Sequence, residues 1–261
     1  MSDTIQRKSS VHRYWTVPVA SILLVAIPAI YGLVMAPGYA LADPFDHFGL
    51  AISNLLPLVF PLLATGIFAI SFSEDVRSGY CLLEQIRIGR RPYVLRHCRT
   101  GAFVGATAGF MTIAVWWVIT MVVAPRVGWV NYYPEGGAPP PPERFTWSQL
   151  MGTSPIVFFV AYSSMVALHA ALYSVMGVLL TIILSNRLLA LAAPFVGSFV
   201  LNFVFGSLGL GQWGPMSAIF TQGLTQGSFV PPIATTGAML LLVLVMILRA
   251  MSTKRPAVNF Q

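Results

Sequence analysis

Six stretches of this chain contain no Asp, Glu, Lys or Arg: Val17–Met35, Gly49–Ser71, Gly101–Ala124, Ile156–Leu184, Leu188–Leu208 and Val230–Leu248. Each has about the 20 apolar residues that an α-helix needs to cross a bilayer. A helix is also the conformation that satisfies every backbone N–H and C=O within one segment, which hydrocarbon demands. Packing the six stretches inside a soluble domain would require a large polar surface. With 56% of the 261 residues apolar and 9% charged, the chain cannot supply one. The expected fold class is an all-α membrane protein with six transmembrane helices.

Orientation follows from the basic residues, which gather on the cytoplasmic side of a bilayer. With the amino terminus inside, the cytoplasmic segments hold Arg7, Lys8, Arg13, Arg77, Arg87, Arg90, Arg91, Arg96, Arg99, Arg187, Arg249, Lys254 and Arg255. Only Arg126 and Arg144 face outward, beside Asp43, Asp46, Glu135 and Glu143. Both termini are therefore expected in the cytoplasm. The pI of about 9.8 reports topology, not nucleic-acid binding, which would need a solvated basic module. The first span also mimics a secretory signal, with Ala40-Leu41-Ala42 ahead of Asp43 as a small-residue cleavage pattern. Its apolar stretch exceeds the roughly 7–15 residues of a signal core, so a retained helix is expected. Cys81 and Cys98 fall in a predicted cytoplasmic loop without metal-ligand spacing and read as free thiols.

Two outer segments differ in kind. Residues 125–155 carry four consecutive prolines and the aromatics Trp129, Tyr132, Tyr133, Phe145 and Trp147. A stiff polyproline II spacer is expected there, with aromatics in the headgroup layer. It is either a loop resting on the membrane or a lid over an exit path. Residues 209–229 are glycine-rich and uncharged, with a helix-like patch near Met216–Leu224. They read as a re-entrant segment, since irregular backbone at membrane depth survives only against protein or a wet cavity. The two halves share no repeat, which weakens a secondary transporter built on inverted repeats.

The densest charge lies in one internal segment, SFSEDVRSGYCLLEQIRIGRRPYVLRHCR, Ser71–Arg99. Ser71 with Glu74 three residues on has capping-box spacing, and Glu74 and Asp75 suit a helix amino terminus. Val76, Tyr80, Leu83 and Ile86 then repeat at helical spacing, Gly89 is a candidate terminator, and Pro92 opposes continuation. An amphipathic helix of about 14 residues is predicted between spans two and three, inside the cytoplasmic loop 72–100. Positive-inside topology with lipid-phosphate contact accounts for the arginines but leaves the three acids unexplained. Mixed charge beside an apolar stripe instead suits docking of a soluble protein. A catalytic role lacks support: no His-Glu-x-x-His, no Gly-x-Ser-Gly, no aspartate inside a span.

The run FPLLATGIFAISFSEDVRSGYCLLEQIRIGRRPYVLRHC resembles the second span and first cytoplasmic loop of the ABC type-2 permeases, membrane subunits of type V ATP-binding-cassette exporters. Glu74, Asp75 and Gly79 stand at that family's acidic and glycine positions, Leu82 and Leu83 at its Leu-rich turn, and Arg90, Arg91 and Tyr93 in its basic segment; Tyr80 stands where the family often has Thr. The resemblance implies a multi-pass permease of a bacterial cell membrane, paired with a second identical or paralogous permease. It implies a separate ATPase subunit, holding ATP and Mg, docked on Glu74, Asp75, Val76, Arg77, Ser78, Gly79, Tyr80, Leu83 and Arg87. The absence of a Gly-x-x-x-x-Gly-Lys-Ser/Thr loop agrees that this chain does not hydrolyse ATP alone. Such exporters move substrates as varied as lipids, drugs and peptides.

Polar residues inside spans are the remaining candidates, because groups at membrane depth face protein or a cavity. These are Asn54, His169 with Tyr162 and Tyr173 on the same helix, and Asn202. Each is either a hydrogen bond between helices or part of a substrate path. Two alternatives to the exporter stay open: a non-transporting membrane protein that recruits a cytoplasmic partner through the 71–99 loop, and an ion-coupled secondary transporter.

Overall fold

A computed structural model of the chain describes residues 2–134, 139–184, 186–221 and 227–252, with side chains from residue 17 onward. Every element among them is helical. In chain order these are α1 (Ser2–Met35), α2 (Pro44–Ser53), α3 (Leu55–Arg77), α4 (Tyr80–Ile88), α5 (Arg90–Val118), α6 (Ala124–Val127), α7 (Pro155–Ile183), α8 (Arg187–Ser207), α9 (Pro215–Ile219) and α10 (Val230–Ser252). Six of them, α1, α3, α5, α7, α8 and α10, are long and apolar enough to cross a membrane, which is compatible with a multi-pass membrane protein. The side chains of Arg7, Lys8 and Arg13, and residues Glu135, Lys254 and Arg255, lie outside the described part.

Proline and glycine set the breaks. The apolar run from Gly49 predicts one helix, yet the chain bends at Asn54 (φ −94°, ψ −85°) between α2 and α3. Pro57 explains it: it has no N–H for the Ser53 carbonyl, and its ring collides with that carbonyl in a continuous helix. The expected capping box at Ser71 and Glu74 does not form. Nothing between Ser71 and Arg77 breaks a helix, so α3 continues, with Ser71 buried in its wall. Glu74 and Asp75 thus lie in the last turn of α3, the unfavourable end of the dipole for acids. The helix predicted from Val76 instead begins after Gly79, whose φ of 73° suits a residue without Cβ, and covers nine residues. Gly89 (φ 83°) ends it and donates its N–H to the Gln85 carbonyl. Pro92 falls in the first turn of α5, where a missing N–H costs nothing. Before Pro125 the ladder slips by one residue into a π turn, Ile119–Val123, because that proline cannot donate to the Met121 carbonyl.

The long helices alternate in direction, so their ends form two faces. At the basic end, Arg90 Nε donates to the Ala250 carbonyl (2.9 Å), and Arg187 Nη2 lies 3.7 Å from Glu74 Oε1. At the far end, the Tyr133 N–H donates to Leu41 (2.8 Å), and the Trp147 indole donates to the Ala218 carbonyl (3.3 Å). Of the expected polyproline spacer, Pro140 is extended (ψ 148°) while Pro141–Glu143 turn into a 3-10 helix. Phe145 and Trp147 are buried in the bundle. The patch expected near Met216–Leu224 begins as α9 but stops at Phe220; Gln222–Leu224 lie outside the described residues.

The centre of the bundle is α7, packed on α5 and α3. Gly101, Gly105 and Gly109 form one face of α5. A Cβ at Gly105 would stand 2.7 Å from the Ala170 carbonyl oxygen, and one at Gly109 2.7 Å from the Ala170 Cβ. On the other side of α7, a Cβ at Gly177 would meet Thr65 and Ala69 of α3 at 2.7 and 2.8 Å. Such small-residue faces let backbones approach where no hydrophobic effect drives helices together. Helices α8 and α10 each lie against α7 but leave long apolar faces open.

Candidate functional site

The basic end presents α4 as a short shelf. Cys81 is buried, and that burial pushes its thiol above the ordinary range. The shelf is fixed to α5 by Glu84, which accepts from Arg96 Nη1 (2.8 Å) and lies 3.4 Å from His97 Nε2. The His97 ring is held in turn against Tyr93 and Phe72, at 4.5 and 4.9 Å between centroids. The outer face shows Tyr80 (49% exposed), Leu83 (68%) and Ile86 (83%) beside the exposed Arg87. Tyr80, Leu83, Arg87 and Arg96 border a cleft of about 420 Å³.

Of the residues expected to dock a partner, Tyr80, Leu83 and Arg87 thus share one accessible face. Arg77 and Ser78 are exposed at the turn before it, with Ser78 Oγ donating to the Asp75 carbonyl (3.0 Å). Val76 is buried, Asp75 is half-buried, and Glu74 turns toward α8 through Arg187. Ile86, the most exposed apolar residue of the shelf, carries the face with them. Its place in the helical repeat with Tyr80 and Leu83 puts it on the same face as those residues.

The polar residues inside the helices form joints. His169 Nδ1 lies 3.0 Å from the Met165 carbonyl, an acceptor only, so this nitrogen carries the proton. Nε2 is then the acceptor facing Thr236 Oγ1 of α10 at 3.3 Å. The same hydroxyl reaches the Pro232 carbonyl at 2.7 Å. Tyr173 OH shares a 2.8 Å hydrogen bond with Ser198 Oγ of α8. Asn202 donates to the Ser198 carbonyl (2.7 Å) and accepts from the N–H and hydroxyl of Ser217 in α9 (3.3 and 3.2 Å). Gly214 passes directly against Asn202, where any Cβ would overlap the amide. Tyr162 is buried in an aromatic stack with Phe158 (5.4 Å). Asn54 sits at the α2–α3 bend and donates to the Leu50 carbonyl (3.1 Å).

The far end holds a charge cluster that sequence spacing left as scattered outward charges. Asp43 caps α2 and accepts from the Asp46 N–H (2.8 Å), while the Ala42 N–H donates to Asp46 Oδ2 (3.1 Å). Arg144, 101 residues away, grips both Asp43 oxygens (2.8 and 2.6 Å), approaches Asp46 at 3.5 Å and donates Nε to the Pro139 carbonyl (2.8 Å). Its guanidinium lies 5.8 Å from the centre of the Phe45 ring. Burial alone would raise the Asp43 carboxyl, but the hydrogen bonds from Arg144 and Asp46, with the Arg144 charge, outweigh it and hold the group below the usual range. Beneath, His47 Nε2 faces the Gly32 carbonyl (3.2 Å) and Nδ1 the Tyr132 hydroxyl (3.5 Å), and burial lowers this imidazole despite the backbone contact. A cavity of about 280 Å³ opens beside Arg144, Asp46, Phe45 and Leu50. The local signal was present in Asp43-Pro44-x-Asp46, a helix cap followed by proline at the first helical position. No family model matches the chain, and neither a curated protein nor a solved structure is significantly similar to it.

Proposed function

We propose that the chain is the permease subunit of an ATP-driven exporter, working with a separate ATP-binding-cassette ATPase that docks on α4 and with a second permease. The observation that carries this reading is the α4 shelf. A nine-residue helix stands between two positive-φ glycines at one end of the bundle and offers Tyr80, Leu83 and Ile86 to solvent. An exposed apolar stripe rimmed by arginine is what an amphipathic helix presents to a groove on a partner. With that end in the cytoplasm, Arg77, Arg87, Arg90, Arg91, Arg96, Arg99, Arg187 and Arg249 lie inside, as the positive-inside rule requires. The far-end turn and α9 then enter the bundle from outside as a re-entrant segment, and ATP with Mg belongs to the partner. The link from α4 to α5 through Glu84, and from the start of α5 to the end of α10 through Arg90, would carry a push on the shelf into the bundle.

Isolation of the tagged full chain from its own membrane, with mass spectrometry of what accompanies it, tests the reading. The expected companion is an ATPase with a phosphate-binding loop. Leu83→Asp with Ile86→Asp is expected to release it while leaving thermal unfolding of the permease unchanged, since both side chains are solvent-exposed. A companion without that loop would favour the recruiting alternative, and an ATPase retained by the double variant would remove α4 as its seat.

A further inference from the structure

Helices α8 and α10 both pack on α7, where the Tyr173–Ser198 and His169–Thr236 hydrogen bonds join them, yet they diverge from each other. The wedge between them is a cleft of about 370 Å³, walled by Leu201 and Phe205 of α8 and Ala238, Met239 and Leu242 of α10, and roofed by Trp213. Its wall residues Leu201 (46% exposed) and Leu242 (48%) are open, as are Phe203 (70%) and Leu241 (62%) outside the lining, so it opens sideways onto the surface that hydrocarbon would cover.

The lining decides what enters. Its one hydroxyl, Thr235 Oγ1, donates to the Trp213 carbonyl (3.1 Å). An ordered water needs about 2–4 polar partners, and beyond that hydroxyl the lining side chains offer a single polar group, the Trp213 indole N–H. The occupant is therefore apolar. An alkyl chain brings no polar group into that lining and threads between the walls, whereas a loop or strand would bring backbone N–H and C=O groups that find no partner there. No Asp, Glu, Lys or Arg occurs between Leu188 and Leu248, so no charge borders the cleft from either wall or from the roof. A charged headgroup finds no complement. The roof is also pinned, by Ser217 on Asn202 and by Gly214 packed on the same amide, so the cleft is preformed.

We infer that the α8–α10 cleft binds one alkyl chain of a membrane amphiphile without selecting for the charge of its headgroup. As the site of a transported substrate this rests on the permease reading; as a binding site it does not.

The full chain, reconstituted in phosphatidylcholine vesicles holding a trace of phosphatidylcholine with a diazirine-bearing acyl chain, is irradiated and the adducts are mapped by mass spectrometry. Label is expected on Leu201, Phe205, Met239 and Leu242 well above that on the outward Phe203 and Leu241. Ala238→Phe places a ring inside the cleft and is expected to lower cleft labelling by about tenfold, the factor for the loss of one or two methylenes of apolar contact. Ala234→Phe serves as a second filling variant, and Leu241→Phe, on the outer face, leaves the pattern unchanged. Equal labelling of cleft and flanks, or no loss in either filling variant, overturns the site. So does protection of the cleft by cross-links to a second copy. With phosphatidylglycerol or a cationic lipid bearing the same chain, cleft labelling within about twofold of the neutral probe is expected, and a preference of about tenfold for either charge overturns the headgroup assignment. No ATPase is present, so failure here leaves the docking of α4 standing, and loss of ATPase capture leaves the cleft standing.

Discussion

Two sets of glycines divide the molecule. On α5 and α7, Gly105, Gly109 and Gly177 face a neighbouring helix so closely that a methyl group would meet it at 2.7 Å. On α8 and α10, Gly197, Gly206 and Gly237 face nothing within 4 Å. The same residue type thus builds a closed seam in one region and an open face in the other. The α3–α5–α7 unit is held by continuous backbone contact, which has no second arrangement close in energy because packed interiors tolerate little displacement. Helices α8 and α10 also pack along this unit, but Gly197, Gly206 and Gly237 are not held against a neighbouring backbone and each helix leaves one face open, so relative movement is cheaper there than within the seam.

The largest expected effect separates the two sets directly. Gly105→Leu forces a side chain into the Ala170 backbone, which cannot step aside, and overpacking of this kind costs about 1–3 kcal/mol or more. Gly237→Leu adds the same side chain to open space and is expected within about 0.5 kcal/mol of the parent. Thermal unfolding of both variants in the same lipid checks the pair. Equal losses would mean that α10 is covered by something as close as α7, and the contrast between seam and open face would collapse.

A smaller effect probes how the far end clamps the closed unit. Arg144→Ala leaves Asp43 half-buried without its ion pair, with an expected cost of about 1–2 kcal/mol, below that of a fully buried pair because the carboxylate is partly solvated. The acid dependence follows in two steps. His47 is depressed by burial, so the unfolded chain binds the extra proton first and stability falls as pH drops from about 6.5. Asp43 is also depressed, so its contribution is present above about 3.8 and is lost as pH falls through its lower folded value. Arg144→Ala is expected to flatten the second step and keep the first. An unchanged acid profile in the variant would detach the clamp from Asp43.

The division between the two regions was only partly legible in the sequence. Six apolar runs without charge are a local property, and hydrocarbon leaves them one conformation, so the spans could be read directly. The bend at Asn54 was equally local, since Pro57 announces it. The capping-box spacing at Ser71 and Glu74 forms no cap because nothing ends the preceding helix there: no glycine or proline stands between Gly66 and Gly79. The α5 seam was readable as Gly101-x-x-x-Gly105-x-x-x-Gly109, but which helix it faces was not, because the complementary groove on α7 has no motif of its own. Arg144 and Asp43 meet across 101 residues, and the α8–α10 cleft is a space between helices rather than a string of residues. Neither leaves a periodicity to detect.

The smallest expected effect bears on the joint between the two regions. Thr236→Val keeps the shape of the side chain and removes the hydroxyl that the structure places against His169 Nε2. In water-soluble cores an orphaned buried nitrogen would cost about 1–3 kcal/mol. Hydrogen bonds between membrane helices average about 0.6 kcal/mol, because the separated helices also find partners. Here the Thr236 proton is shared with the Pro232 carbonyl of its own helix, so the valine leaves no unpaired donor and the loss stays near that average. A change of about 0.6 kcal/mol in unfolding is therefore expected, with the seam intact. The joint itself should loosen: a spin-label pair bridging Leu168 on α7 and Leu240 on α10 should broaden its distance distribution in the valine variant, while a pair between α5 and α7 does not. Broadening at both pairs would show that α10 belongs to the same rigid unit as the seam, and that the open glycines mark no boundary.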